Sequence, residues 1–118
     1  MAAPNIVNVS TITAKTALVA MTTSVSSLLT NSANSGTVLK INSVTYANYT
    51  AAPVIGTAAV LRSGTTYYLV GNVSIPANST LIVTGKDTAF YLEEGDAIQG
   101  SASTNNALSA VVSYEIVG

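Results

Sequence analysis

The side chains able to do acid–base or metal chemistry are few. Asp87, Glu93, Glu94, Asp96 and Glu115 are the five acids of the chain, and histidine is absent, as is cysteine. Neither a Ser/His/acid triad nor a Cys/His pair can be assembled from these residues, and imidazole-ligated zinc is excluded with them. Glycoside hydrolysis needs two carboxyl groups about 5 to 10 Å apart across a cleft, yet all the acids except Glu115 fall at expected turns. The EEGD run, Glu93 to Asp96, is the only charge cluster, and a hard cation such as calcium would want several oxygens there. No other segment supplies the missing ligands. EEGD reads instead as a hairpin tip, with Gly95 in the turn position and its acids in water. No enzyme activity is expected, and no catalytic residue, metal ligand or cofactor.

Tyrosine is the other chemically versatile type, with six in the chain and no tryptophan. Tyr joins an apolar face to a polar tip, which suits a carbohydrate surface, but Tyr67, Tyr91 and Tyr114 are equally explained as core or interface residues. Four Asn-X-Ser/Thr sequons stand at Asn8, Asn48, Asn72 and Asn78. A chain this rich in Asn, Ser and Thr generates them by composition. They are expected to stay unmodified, since MAAPNIVNVST has neither the positive n-region nor the apolar core of a secretory signal.

Composition bounds the elements that could position any of these residues. The 118 residues suffice for one domain around one core. Apolar residues make up 48% and charged residues 8%, where about a quarter charged is usual. High hydrophobicity with low charge is the opposite of the disordered signature. Lys15, Lys40, Arg62 and Lys86 are scattered singly, so there is no electrostatic footprint for nucleic acid. No run approaches the roughly 20 apolar residues of a membrane-spanning helix. A net charge of −1 suits a chain that ends against partners, as a trimer or dimer. A neutral monomer with a polar, uncharged face is the competing reading.

Read in order, residues 1–13 form an extended arm or an edge strand, with Pro4 excluding a helix interior and Asn5 to Thr13 rich in β-branched residues. In Thr16 to Thr30 a helical spacing of Leu18, Met21, Val25, Leu28 and Leu29 competes with alternation. Its Ser and Thr density disfavours helix, so two short strands with a turn near Thr23 are expected. Asn31 to Gly36 is a loop. Thr37 to Thr50 is a long strand with Leu39, Ile41, Ser43, Thr45 and Ala47 on one face, core-directed near its start. Ser63-Gly64 connects Thr57–Arg62 to the strand Thr65–Ile75 as a hairpin. Tyr67, Leu69, Val73 and Ile75 share a face of that strand, and Gly71 in the middle of that row marks a bulge or a close approach.

Pro76 to Ser79 is a turn, Leu81 to Thr84 a strand, Gly85-Lys86-Asp87 a turn and Ala89 to Leu92 a strand. Ala97 to Ser103 follows EEGD, and Leu108, Ala110, Val112, Tyr114 and Ile116 alternate in the last segment. About eight short strands with Gly, Pro and Asn turns between them predict an all-β fold. Its expected form is an antiparallel β-sandwich of jelly-roll or Greek-key type spanning residues 1–118.

The run SIPANSTLIVTGKDTAFYLEEGDAIQGSASTNNALSAVVSYE carries a pattern, VPAxSTLxVxGKDTxxYLEEGDxIxxxASxNxxLxxxVSYE. It resembles small virion structural proteins of tailed bacteriophages, cyanophages especially. The similarity is best from Ile75 to Glu115, the opening MAAPNIVNVSTITAKTA is similar in style, and the centre departs most. The resemblance implies a virion component assembled in the host cytoplasm and carries over no site residue. It fits a capsid decoration or cement protein bound to the major capsid protein, or a tail or fibre component acting as a structural or host-glycan-binding module. The compact size, without a coiled-coil or repetitive shaft, favours decoration.

Overall fold

Strands run between the Gly, Pro and Asn punctuation, because β-branched and aromatic residues suit a pleated, half-buried surface. The computed structural model describes residues 11–118. In chain order the strands are β1 (Ile12–Ala20), β2 (Ser26–Thr30), β3 (Val38–Asn48), β4 (Val54–Arg62) and β5 (Thr65–Ile75). They continue as β6 (Ser79–Thr84), β7 (Phe90–Leu92), β8 (Ala97–Ala102) and β9 (Leu108–Val117), with one 3-10 turn at Lys86–Thr88. The contest within Thr16 to Thr30 goes to strands β1 and β2, separated by a bend at Thr23 and Ser24. Only Thr11, Ile12 and Thr13 of the expected arm are among the described residues, and the last two open β1.

The sheets are antiparallel. One has the order β1-β9-β3-β6, with β7 also on β3; the other has the order β2-β8-β4-β5. β6 and β7 together make one interrupted strand, since β6 pairs Val44 to Asn48 and β7 pairs Leu39 to Ile41. The pairs β4:β5, β3:β6/β7, β2:β8 and β1:β9 nest inside one another as a single long hairpin whose apex is Ser63-Gly64. Rolling that hairpin adds β3:β9 and β4:β8 and gives the jelly roll. The apex is a two-residue connection with both residues at positive φ, 51° at Ser63 and 77° at Gly64, the geometry that matches the strands' twist.

The core lies between the sheets and is built from Ile41, Val44, Tyr46, Ile75, Leu92, Ile98, Leu108 and Val112, all essentially without solvent contact. Burying each such side chain contributes about 1.5–3 kcal/mol, set against the entropy of ordering it. Leu108, Ala110 and Val112 point inward as the alternation of β9 predicts.

The long strand β3 is core-directed near its start, as expected, but does not keep that face inward along its length. Leu39 and Ile41 are buried, but beyond them the buried positions are Val44, Tyr46 and Asn48 rather than Ser43, Thr45 and Ala47. A register shift against β9 between Ile41 and Ser43 inserts one residue, and one residue is enough to exchange the two faces of a strand. β5 carries two such shifts, between Ala58 and Ala59 and between Gly56 and Ala58 of its partner. The second takes up the Gly71-Asn72 pair, with the positive φ on Asn72. Two one-residue insertions cancel, so Val73 and Ile75 keep the parity expected of them, while Leu69 becomes the extra residue beside Val70.

Candidate functional site

The acids separate rather than converge. Asp87 is exposed on the 3-10 turn, and Glu115 on β9 lies across from Lys40 of β3. EEGD does form a turn, with Gly95 at φ 86°, and Glu93 stands exposed as expected, but Asp96 is not left in water. Asp96 is 3% exposed and takes Arg62 in a two-pronged grip, with Nε 3.0 Å from each carboxylate oxygen and Nη2 2.5 Å from Oδ2. Its Oδ2 also accepts the Glu93 amide at 2.9 Å. Glu93 reaches the same guanidinium at 2.9 Å, and Glu94 accepts the Gly36 amide at 3.0 Å. The Asp96 hydrogen bonds hold Arg62 still more firmly protonated than usual.

Asn31 completes this end of the sandwich. Its amide donates to Thr37 and Leu92 carbonyls, and its oxygen accepts Ser35 Oγ. The main chain of Asn31 pairs with Gly95 and Asp96. The cluster is a clasp that ties the β2–β3 loop, the end of β4 and the β7–β8 turn together. Both Asp96 oxygens and Glu94 Oε2 are engaged by Arg62 or by backbone amides. Among the described residues, no group of three or more acids, histidines or cysteines has the arrangement of a metal site.

Asn48 plays the same part at another loop. Its Nδ2 donates to Ala52, Ile75 and Pro76 carbonyls, and its Oδ1 accepts the Thr50 amide and hydroxyl. Its sequon is therefore sealed in the fold, because the nitrogen a glycan would use is buried and fully engaged.

The tyrosines divide by environment. Tyr46 is core, its hydroxyl donating to the Thr57 carbonyl at 3.0 Å, and burial pushes its phenol well above the usual value. Tyr114 is half-buried. Tyr49 bonds the Asn106 carbonyl at the loop end. Tyr67 and Tyr91, two of the three expected in core or interface, stand exposed, and so does Tyr68 at 68%.

Tyr68 belongs to a concavity. On the outer face of the β2-β8-β4-β5 sheet lies a groove of about 560 Å³, lined by Tyr68, Thr66, Thr57, Asn72, Gln99 and Ser101 over a floor that includes Ala59 and Gly100. The floor is low at Ala59, whose side chain is small. The two irregularities in β5 bend that strand over it, as bulges do. None of the lining residues is charged. Sequence reading passed over Tyr68 and Gln99 and met Asn72 only as a sequon. The signal available was parity: Tyr68 is on the face opposite the row of Tyr67, Val73 and Ile75.

The outer face of the other sheet is different in kind. Register aligns Leu18 with Val111, Val111 with Thr45, and Thr45 with Ile82 across its four strands. Leu18 is 75% and Ile82 66% exposed. The flanking row, Ala20, Ser109, Ala47 and Thr80, carries no charge either. No helix among the described residues is long and apolar enough to cross a membrane. No family model, curated protein or solved structure matches the chain.

Proposed function

We propose that this chain is a non-enzymatic structural protein of a tailed-phage virion, a decoration or cement protein that binds the outer capsid surface and stabilises the shell. The observation that carries the reading is one end of the outer face of the β1-β9-β3-β6 sheet, where Leu18, Val111, Thr45 and Ile82 share an uncharged row and the Lys40 and Glu115 pair lies toward the other end. Leu18 and Ile82 stand exposed at the two ends of that row, with half-buried Val111 and Thr45 between them; apolar surface of this kind gains by being covered, and the uncharged rows can be covered without desolvating ions. The resemblance of Ile75 to Glu115 to virion proteins supplies the kind of partner: the major capsid protein, with copies of the chain itself beside it.

Quantitative mass spectrometry of purified particles tests this. A copy number scaling with that of the major capsid protein is expected, and Leu18→Asp with Ile82→Asp should lower occupancy while the isolated domain stays folded. A copy number matching tail symmetry instead would place the chain in the tail or fibre. That second reading is favoured by one observation, the groove on the opposite face.

A further inference from the structure

We propose that the groove over β4, between Tyr68 on one side and Gln99 and Ser101 on the other, is a binding site for a neutral saccharide. The inference requires no choice between capsid and tail. A volume of about 560 Å³ lies within the range of small-molecule clefts, roughly 300–1,000 Å³, and a disaccharide is a ligand of that class. The chemistry of the lining then selects among ligands.

Phosphates, carboxylates and nucleic acid strands want cations, and none faces the groove. A wholly apolar ligand would strip water from three hydroxyls and two amides and return nothing to them. A polyhydroxylated, uncharged ligand matches, because it needs donors and acceptors in equal supply. Thr57, Thr66 and Ser101 hydroxyls and Gln99 and Asn72 amides offer both. Tyr68 adds an exposed aromatic face, negative at its centre, against which the C–H face of a pyranose can lie.

Part of the site is organised in advance. Thr57 Oγ1 accepts the Asn72 amide N–H at 3.1 Å, which directs the hydroxyl proton onto Asn72 Oδ1 at 3.2 Å. Oδ1 is thereby assigned as the inward atom and Nδ2 is left as a donor toward the groove. The bulge holds this pair at the rim, since Asn72 takes a positive φ of 53°. A side chain oriented before binding loses less entropy when the ligand arrives.

The experiment is a printed glycan array carrying neutral hexose and N-acetylhexosamine oligosaccharides beside sialylated and sulfated ones, probed with the full chain. Hits are re-measured by NMR titration of the 15N-labelled protein. The expected result is binding to neutral glycans that does not weaken with added salt, with shifts centred on Thr57, Asn72 and Gln99. Tyr68→Ala should weaken it roughly tenfold or more, the loss of one stacked aromatic contact. Tyr91→Ala, an exposed tyrosine on the other sheet, should leave it unchanged, with both variants melting as the parent does.

Three results would overturn the proposal. These are no neutral glycan bound at millimolar concentration, binding confined to charged glycans and abolished by salt, or binding indifferent to Tyr68→Ala and Gln99→Ala. None of them touches the virion proposal, which is decided by copy number.

Discussion

A single methyl group at Gly100 should destabilise the fold by several times the thermal energy. Gly100 lies on β8 between Ser26 of β2 and Ala58 of β4, with its missing side chain directed into the core. A Cβ there would stand 2.5 Å from Tyr46 Oη, 2.9 Å from Met21 Cε and 3.0 Å from Leu28 Cδ1. Met21 can give way, being unbranched and flexible. Tyr46 cannot readily do so, because its ring is fully buried and its hydroxyl is fixed on the Thr57 carbonyl.

Retreating by most of an ångström would break that hydrogen bond, worth about 0.5–1.5 kcal/mol, on top of about 1–3 kcal/mol for overpacking a core. The expected cost of Gly100→Ala is therefore about 2–4 kcal/mol, out of the roughly 5–15 kcal/mol that holds a domain together. Urea unfolding followed by circular dichroism should show the midpoint falling by about 1–2 M at an m value of about 2 kcal/mol/M. The decisive measurement is the double-mutant cycle with Tyr46→Phe. Removing the hydroxyl relieves the clash, so the double variant should be more stable than the sum of the singles by at least about 1 kcal/mol. A Gly100→Ala midpoint within about 0.2 M of the parent, or a cycle additive within about 0.5 kcal/mol, would refute the packing described for Tyr46.

Asp96→Ala should lower stability by about 1–3 kcal/mol in the same urea assay, since it deprives Arg62 of its two-pronged partner and the Glu93 amide of its acceptor. The loss should fall short of the roughly 3–5 kcal/mol of a fully buried pair, because Arg62 is 45% exposed and can rehydrate. Gly64→Ala meets no atom within 4 Å but sits at φ +77°, so its cost is backbone strain alone, about 1 kcal/mol by thermal melting; a neutral result would count against the apex geometry. Stability should be insensitive to the Tyr46 phenol below pH about 10 and should fall above it. The folded phenol's value is raised by burial, so the unfolded chain releases its proton first. The Tyr46→Phe variant should lose that part of the alkaline slope, which paired pH titrations of the urea midpoint would measure.

Much of the scaffold was legible because it is written locally. Ser63-Gly64 could only be a tight connection, Asn31 to Gly36 only a loop, and Leu108, Ala110 and Val112 form an inward row by parity alone. Local conformational preferences and a period of two suffice for such features, and they place the strands of an all-β sandwich. The faces of β3 could not be read in this way. The residue inserted between Ile41 and Ser43 is defined only against β9, some seventy positions away in sequence.

The same limit applies to the two features that bear most on function. Arg62 and Asp96 lie 34 residues apart and meet because β4 pairs with β8, with Leu61 opposite Ala97; from sequence the acids of EEGD had every reason to face water. Tyr68, Thr57, Asn72 and Gln99 come from three strands, and only the order β8-β4-β5 and the bulges of β5 gather them around one groove. By itself the sequence determined the building material of this protein: which segments extend, where they turn, and that histidine and cysteine chemistry lies outside its means. Tertiary structure decided which side chains share a surface, because lateral pairing and register join residues that no local preference can connect.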